Sequence, residues 1–247
     1  MLVIFDVDGT LIGGESFDWS SFDAAVEEVA GFTPAPSFWE SLEEVTARSI
    51  ADAASAAHPP SERERIQILI REAYLRNLAK AHKANPGAFK PRPGAEELLK
   101  ELRAVNGPGI AIATGDWHET ISFKLSASGL EVSGIPMATC TDCYSRADII
   151  KLAAARAGRS LREAVYIGDG TWDLRACRKL GIPFIGTGER TNRLREAGAI
   201  HLVPDLSSGP FCEVLAAVTH QRRDSRFPLV QPMGESGART EAINPQP

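Results

Sequence analysis

The strongest constraint on this chain is an alternation that begins near residue 109. Short apolar runs at 109–114 (GIAIAT), 136–140 (PMATC), 164–168 (AVYIG), 183–186 (PFIG) and 200–204 (IHLVP) are each followed by a segment with helical spacing, at 116–130, 146–158, 172–181, 190–199 and 210–218. Strands that alternate with helices must be joined by crossovers, which gives a parallel sheet with helices on both faces. Ahead of the series, 91–105 (PRPGAEELLKELRAV) reads as a helix with Pro93 near its start and Gly107 after its end. The apolar run Leu2–Phe5 is one more buried strand, but residues 14–88 separate it from the rest. That stretch is helical in pattern, with segments at 16–31, 37–57 and 61–83 divided by Pro34-Ala35-Pro36 and His58-Pro59-Pro60. In the third segment Ile66, Leu69, Ile70, Ala73 and Tyr74 share one face, and Ser61 with Glu64 has the form of a capping box. The expected architecture is a Rossmann-like parallel α/β core, residues 1–13 and 89–219, interrupted by a helical cap at 14–88. Gly13-Gly14 is the expected hinge. Residues 220–247, polar and without period, read as a disordered tail.

In open parallel sheets, ligands bind beyond the carboxyl ends of the strands. Three loops fall there: Asp6-Val7-Asp8-Gly9-Thr10, Thr114-Gly115-Asp116, and Gly168-Asp169-Gly170-Thr171-Trp172-Asp173. Asp6 and Asp8 stand two apart in extended backbone, a spacing that points both to one side. Carboxylates this close repel, and burying them is costly without compensation. Converging acids need a cation. Oxygen donors with no clustered His or Cys favour Mg²⁺ over Zn²⁺, and Mg²⁺ is commonly completed by a substrate phosphate. Gly9, Gly115 and Gly170 let backbone N–H groups approach an anion, and the helices that follow favour negative charge. One acid would then attack phosphorus, while its neighbour stays protonated long enough to act as general acid. The acyl phosphate formed is hydrolysed in a second step.

In this order and spacing, the motifs D-x-D-G-T at Asp6–Thr10, strand-then-Thr at Thr114 and G-D-x-x-x-D at 168–173 resemble those of the haloacid dehalogenase superfamily of Mg²⁺-dependent aspartyl-phosphate hydrolases. The resemblance spans the whole core, and the insertion after the first motif matches the family's cap. It implies Asp6 as nucleophile and metal ligand and Asp8 as general acid/base. Asp6, Asp8 and Asp169 form the implied metal set, the Val7 carbonyl joins it, and Asp173 supports it. Thr114 and Gly115 would hold the phosphoryl group. The basic third motif departs from the pattern: the usual Lys-Pro falls on Tyr144-Ser145, which leaves Arg146, or Lys151 a turn or more into the helix, to supply the charge. An acid at position 8 favours phosphate-ester hydrolysis over dehalogenation or phosphonate cleavage. The implied substrate is a small phosphorylated metabolite, phosphoglycolate- or sugar-phosphate-like. The same residues would serve a phosphomutase, and a catalytically idle binding domain is a third reading.

The formal net charge of −5 gives no basic footprint for nucleic acid, and no apolar run reaches the ~18 residues that span a bilayer. The N-terminal apolar run lacks the basic flank and cleavage site of a signal peptide, so a cytoplasmic protein is expected. Cys140, Cys143, Cys177 and Cys212 are too scattered for a disulfide framework. Cys140-Thr-Asp-Cys143 has metal or redox spacing but no second ligand pair, so small, half-buried side chains are expected there. Trp117, His118 and Trp172 flank the candidate site, where packing is the simpler role.

Overall fold

The computed structural model describes residues 1–35, 38, 42–104 and 109–224. Its centre is a six-stranded, wholly parallel sheet in the order β3-β2-β1-β4-β5-β6. The strands are β1 (Leu2–Phe5), β2 (Gly109–Ala113), β3 (Met137–Ala138), β4 (Ala164–Gly168), β5 (Phe184–Gly186) and β6 (His201–Leu202). β1 lies between β2 and β4, with Leu2 opposite Gly109 on one side and Ala164 on the other. The strand order reverses at β1, so Asp6 and Asp8 emerge at the switch point, where ligands gather in sheets of this type.

Side-chain alternation along β1 explains the two cores. Leu2 and Ile4 face one layer, packed with Ile149, Ile150 and Ala153 of α6 (Arg146–Arg156) and with Leu174 of α7 (Thr171–Leu180). Val3 and Phe5 face the other, formed by Leu98 and Leu99 of α4 (Ala95–Ala104), Ile121 and Leu125 of α5 (His118–Ser128), and Phe211 and Leu215 of α9 (Ser208–Asp224). A strand covered on both sides must be apolar throughout, as Leu-Val-Ile-Phe is. The short helix α8 (Thr191–Glu196) joins β5 to β6.

Among the described residues the insertion holds the helices α1 (Glu15–Ala30), α2 (Ala47–Ser55) and α3 (Pro60–Ala84). The chain leaves and returns side by side. Ile12 bridges to Pro91, and the Gly13 N–H donates to the Lys90 carbonyl at 2.8 Å. Gly14 has φ +104°, and a Cβ there would collide with the Ala88 carbonyl oxygen, so only glycine suits the crossing.

Several boundaries differ from the sequence expectation. The predicted helix 37–57 is helical at 47–55, and residues 36, 37 and 39–41 lie outside the described residues. Thr46 and Ser49 close a reciprocal capping box, which fixes the start of α2. By contrast, the capping box predicted at Ser61/Glu64 does not form: α3 begins at Pro60, whose ring suits the first helical position. Within α3 Ile66, Ile70, Ala73 and Tyr74 are buried, whereas Leu69 lies at the stripe's margin and is exposed. Helix 91–105 starts only at Ala95, because Gly94 takes φ +80° against the backbone of Leu206 and Ser207. α9 extends to Asp224, into the segment read as tail, and 225–247 lie outside the described residues.

Candidate active site

A cavity opens between the strand ends and the inserted helices. The core contributes Asp6, Asp8, Thr114, Gly115, Arg146 and Asp169 to its walls; the insertion contributes Glu15, Asp18 and Trp19 of α1, Thr46 before α2, and Tyr74 of α3. Both acids of the first loop line it, yet their surroundings differ.

Asp6 belongs to a buried group with Asp169 and Asp173, whose carboxylate oxygens lie within 4.8 Å of one another. The Asp6 N–H donates to the Ile167 carbonyl at 2.9 Å, which extends the β1–β4 ladder by one bond and fixes the acid's backbone. Arg146, at the start of α6, runs into this group: its Nη1 lies 3.0 Å from Asp173 Oδ1 and 3.4 Å from Asp6 Oδ1. Its Nη2 donates to the Val45 carbonyl at 2.9 Å, and a Cβ at Gly115 would strike that same nitrogen. Gly115 is therefore where the backbone makes way for the guanidinium. Asp173 has both oxygens engaged, Oδ2 by the Gly170 N–H and Oδ1 by Arg146 and the Tyr166 hydroxyl. Burial, then the neighbouring Asp173 charge, raises the Asp6 carboxyl well above its ordinary range, against the pull of Arg146. Burial and Asp173 likewise push Asp169 up to about 7, opposed by Arg190.

Asp8 sits in a second group, with Asp18 and Asp116, around a cation. The Lys124 ammonium, wholly buried on α5, lies 2.7 Å from Asp8 Oδ2, 2.7 Å from Asp18 Oδ1 and 2.8 Å from Asp116 Oδ2. The Tyr74 hydroxyl donates to Asp18 and stands 3.3 Å from the same nitrogen. Burial raises Asp8 to about 8, with Lys124 lowering it and Asp18 and Asp116 raising it. Burial would lower the Lys124 ammonium, but Asp116, Asp18 and Asp8 outweigh it and hold the group well above its usual value. The compensation that clustered acids require is thus supplied partly by two buried side chains, Arg146 and Lys124.

Three members of the candidate set stand apart from the Asp6–Asp169–Asp173 group. Asp8, expected among the metal ligands, turns its carboxylate to Lys124 and lies outside the Asp6–Asp169–Asp173 group. The Val7 carbonyl, expected beside it, accepts the N–H groups of Thr10, Leu11 and Ile12 in the turn. Lys151 is exposed and pairs with Asp148 at 2.9 Å, away from the cavity, because α6 carries position 151 to its solvent face. Thr114 is buried on the cavity wall, its Oγ1 accepting the Asp116 N–H at 3.2 Å. Cys140 is a buried free thiol and Cys143 a half-buried one.

Lys124, Asp18, Tyr74 and Arg190 were absent from the candidates. Lys124 had a signal: Asp116, Thr120 and Lys124 recur every four residues, one face of a helix. Arg190 lies over the rings of Trp19 and Trp172, at 5.7 and 5.5 Å, with Nη1 3.9 Å from Asp169. Trp117 packs, stacked on Phe22 at 5.9 Å and beside Tyr74, so it joins insertion to core.

A parallel α/β core with buried acids at its strand ends, roofed by inserted helices, defines a class of enzyme core, and the family comparison agrees with it. The chain belongs to the haloacid dehalogenase-like hydrolase family, whose model matches residues 3–187. Among curated relatives, it is 25% identical to a phosphoglycolate phosphatase of Agrobacterium fabrum over 225 residues, 88% of this chain and 91% of the relative. It is 24% identical to a phosphoserine phosphatase of Methanocaldococcus jannaschii over 193 residues, 73% and 82% of the two chains. A hydrolase from Pseudomonas syringae has the same fold, with TM-score 0.69, 22% identity, and 88% and 98% of the chains covered. A β-phosphoglucomutase from Clostridium difficile shares it at TM-score 0.69 and 17% identity, with 89% and 97% covered.

Proposed function

We propose that this protein is a phosphatase that hydrolyses a small phosphomonoester through an aspartyl-phosphate on Asp6. The observation that carries this reading is the contrast between the two acids: Asp6 lies against Arg146 with Asp169 beside it, while Asp8, two residues on, is held apart by Lys124. In the first step an Asp6 carboxylate oxygen attacks phosphorus, the ester P–O bond breaks, and the leaving oxygen takes the proton of Asp8. In the second, Asp8 accepts a proton from water as the water oxygen attacks the acyl phosphate, releasing inorganic phosphate and restoring Asp6. Arg146 offsets charge on the transferring group and on Asp6, and Thr114 with the Gly115 backbone supports the phosphoryl oxygens. The inserted helices limit water at the site. Phosphorylated carboxylic acids and sugar phosphates are the substrate classes this reading favours, and the curated relatives are consistent with the first.

The donor set suits a hard divalent cation such as Mg²⁺: carboxylate oxygens only, closely grouped, with Asp6 and Asp169 as the ligands and Asp173 holding Arg146 in place. When bound, the cation supplies positive charge to the phosphate and to Asp6. Asp169, held near 7, is protonated below that pH, so protons compete with the cation there. Mg²⁺ at about 100 times its Kd is therefore expected to raise Tm at pH 8 by roughly 5–10 °C, with a much smaller gain at pH 5.5. Thermal melts with Mg²⁺ or chelator at both pH values check this, and no gain at pH 8 would overturn the cation. The reading as a whole is tested on a panel of phosphorylated metabolites with Mg²⁺. Released inorganic phosphate supports it, whereas an isomerised sugar phosphate without free phosphate would make the protein a mutase.

A further inference from the structure

We propose that Lys124 is a positioning residue for the reaction: it fixes which oxygen of Asp8 carries the transferable proton and where that oxygen stands. This rests on the reading of Asp8 as the acid that protonates the leaving group.

The ammonium has three protons to donate and no lone pair to accept with. In the structure its three carboxylate partners come from three separate parts of the chain: Asp8 after β1, Asp116 after β2, and Asp18 on α1 of the insertion. Asp116 is itself fixed, its Oδ1 accepting the Trp117 N–H at 2.7 Å and the Thr120 hydroxyl at 2.6 Å. Asp116, two residues ahead of α5, and Lys124, on its second turn, therefore form an ion-paired bracket, and Asp8 is hung from it by Oδ2. Because Lys124 only donates, the oxygen it holds must accept. The proton that Asp8 delivers is left to Oδ1, the oxygen not held by the bracket. Asp18, placed by the Tyr74 hydroxyl, ties the same ammonium to the insertion, so the roof of the cavity helps to aim the acid. A role in packing alone would not call for a charge here, since an apolar side chain fills such a space at lower desolvation cost.

Leaving-group dependence tests this. An alkyl phosphate expels an alkoxide, which needs a proton as the P–O bond breaks; p-nitrophenyl phosphate expels a stable phenolate, which does not. kcat/KM reports only the steps up to formation of the acyl phosphate, so the second role of Asp8 does not enter. With Mg²⁺ present, Lys124→Met is expected to lower kcat/KM about 100-fold for the alkyl phosphate that the wild type hydrolyses best, and less than about 5-fold for p-nitrophenyl phosphate. Asp18→Asn, which keeps Lys124 and the shape of the group, is expected to show the same selectivity with a smaller loss, and it decides the matter alone if Lys124→Met does not fold. Equal losses on the two esters, or no loss on the alkyl ester, would overturn the positioning role. Wild-type protein that cleaves the aryl ester but no alkyl ester would instead overturn Asp8 as the leaving-group acid, and this inference with it.

Discussion

Asp6→Asn is expected to reduce phosphate release from p-nitrophenyl phosphate by at least about 10⁴-fold, to background. An amide oxygen does not form the acyl phosphate, and Asp173, the other carboxylate beside Arg146, already has both oxygens engaged. The same substitution should not lower the stability of the metal-free protein. Asp6 is an acid whose carboxyl is raised by burial and by Asp173. A carboxyl raised on folding contributes fully below its unfolded value near 3.9, and that contribution is lost as pH rises through the folded value. The neutral Asn variant therefore gains relative to wild type at pH 8 and little at pH 4. A lower Tm at pH 8 would mean that the pair with Arg146 outweighs the cost of burying the Asp6 charge, and retained phosphate release would overturn Asp6 as the nucleophile.

Arg146→Met should cost both activity and stability. It leaves Asp6 and Asp173 buried without their guanidinium, and breaking a buried pair from one side costs about 3–5 kcal/mol, or roughly 10 °C in Tm for a chain of this size. Adding Asp173→Asn to Arg146→Met should recover part of that loss, since it removes one of the stranded charges. Lys151→Met, by contrast, breaks only an exposed pair with Asp148 and should change stability by less than about 0.5 kcal/mol and activity not at all. Melts and phosphate release on the three proteins distinguish the two basic residues. If Lys151→Met were the inactive one, the assignment of the third-motif charge would reverse.

The sheet and its loops were legible because a doubly covered parallel strand writes itself as an unbroken apolar run, and because the acids follow those runs directly. Asp6, Asp8, Thr114 and Asp169 all reach one cavity for that reason. Helix boundaries were less legible where a backbone contact from a distant part of the chain sets them. Gly94 is held against Leu206, and the stretch before Thr46 is drawn toward Arg146 through the Val45 carbonyl. The second cation was missed because a lysine four residues beyond a threonine reads as an ordinary helix surface position. Nothing local shows that the insertion will fold over it and bring Asp18 and Tyr74. For the same reason the spacing of Asp6 and Asp8 suggests one shared metal set, although a buried lysine from another loop's helix holds the Asp8 carboxylate outside the Asp6–Asp169–Asp173 group.

The aromatic contact at the cavity mouth has an optical consequence. Trp19 belongs to the insertion and Trp172 to the core, their ring centroids stand 6.4 Å apart at 65°, and Arg190 lies over both. Indoles at that separation couple their excited states, and a guanidinium nearby shifts their emission. Any opening of the insertion separates one ring from the other and strips the cation from at least one of them. The molecule carries an intrinsic spectroscopic gauge across its own seam, read by near-ultraviolet dichroism or fluorescence without an attached dye.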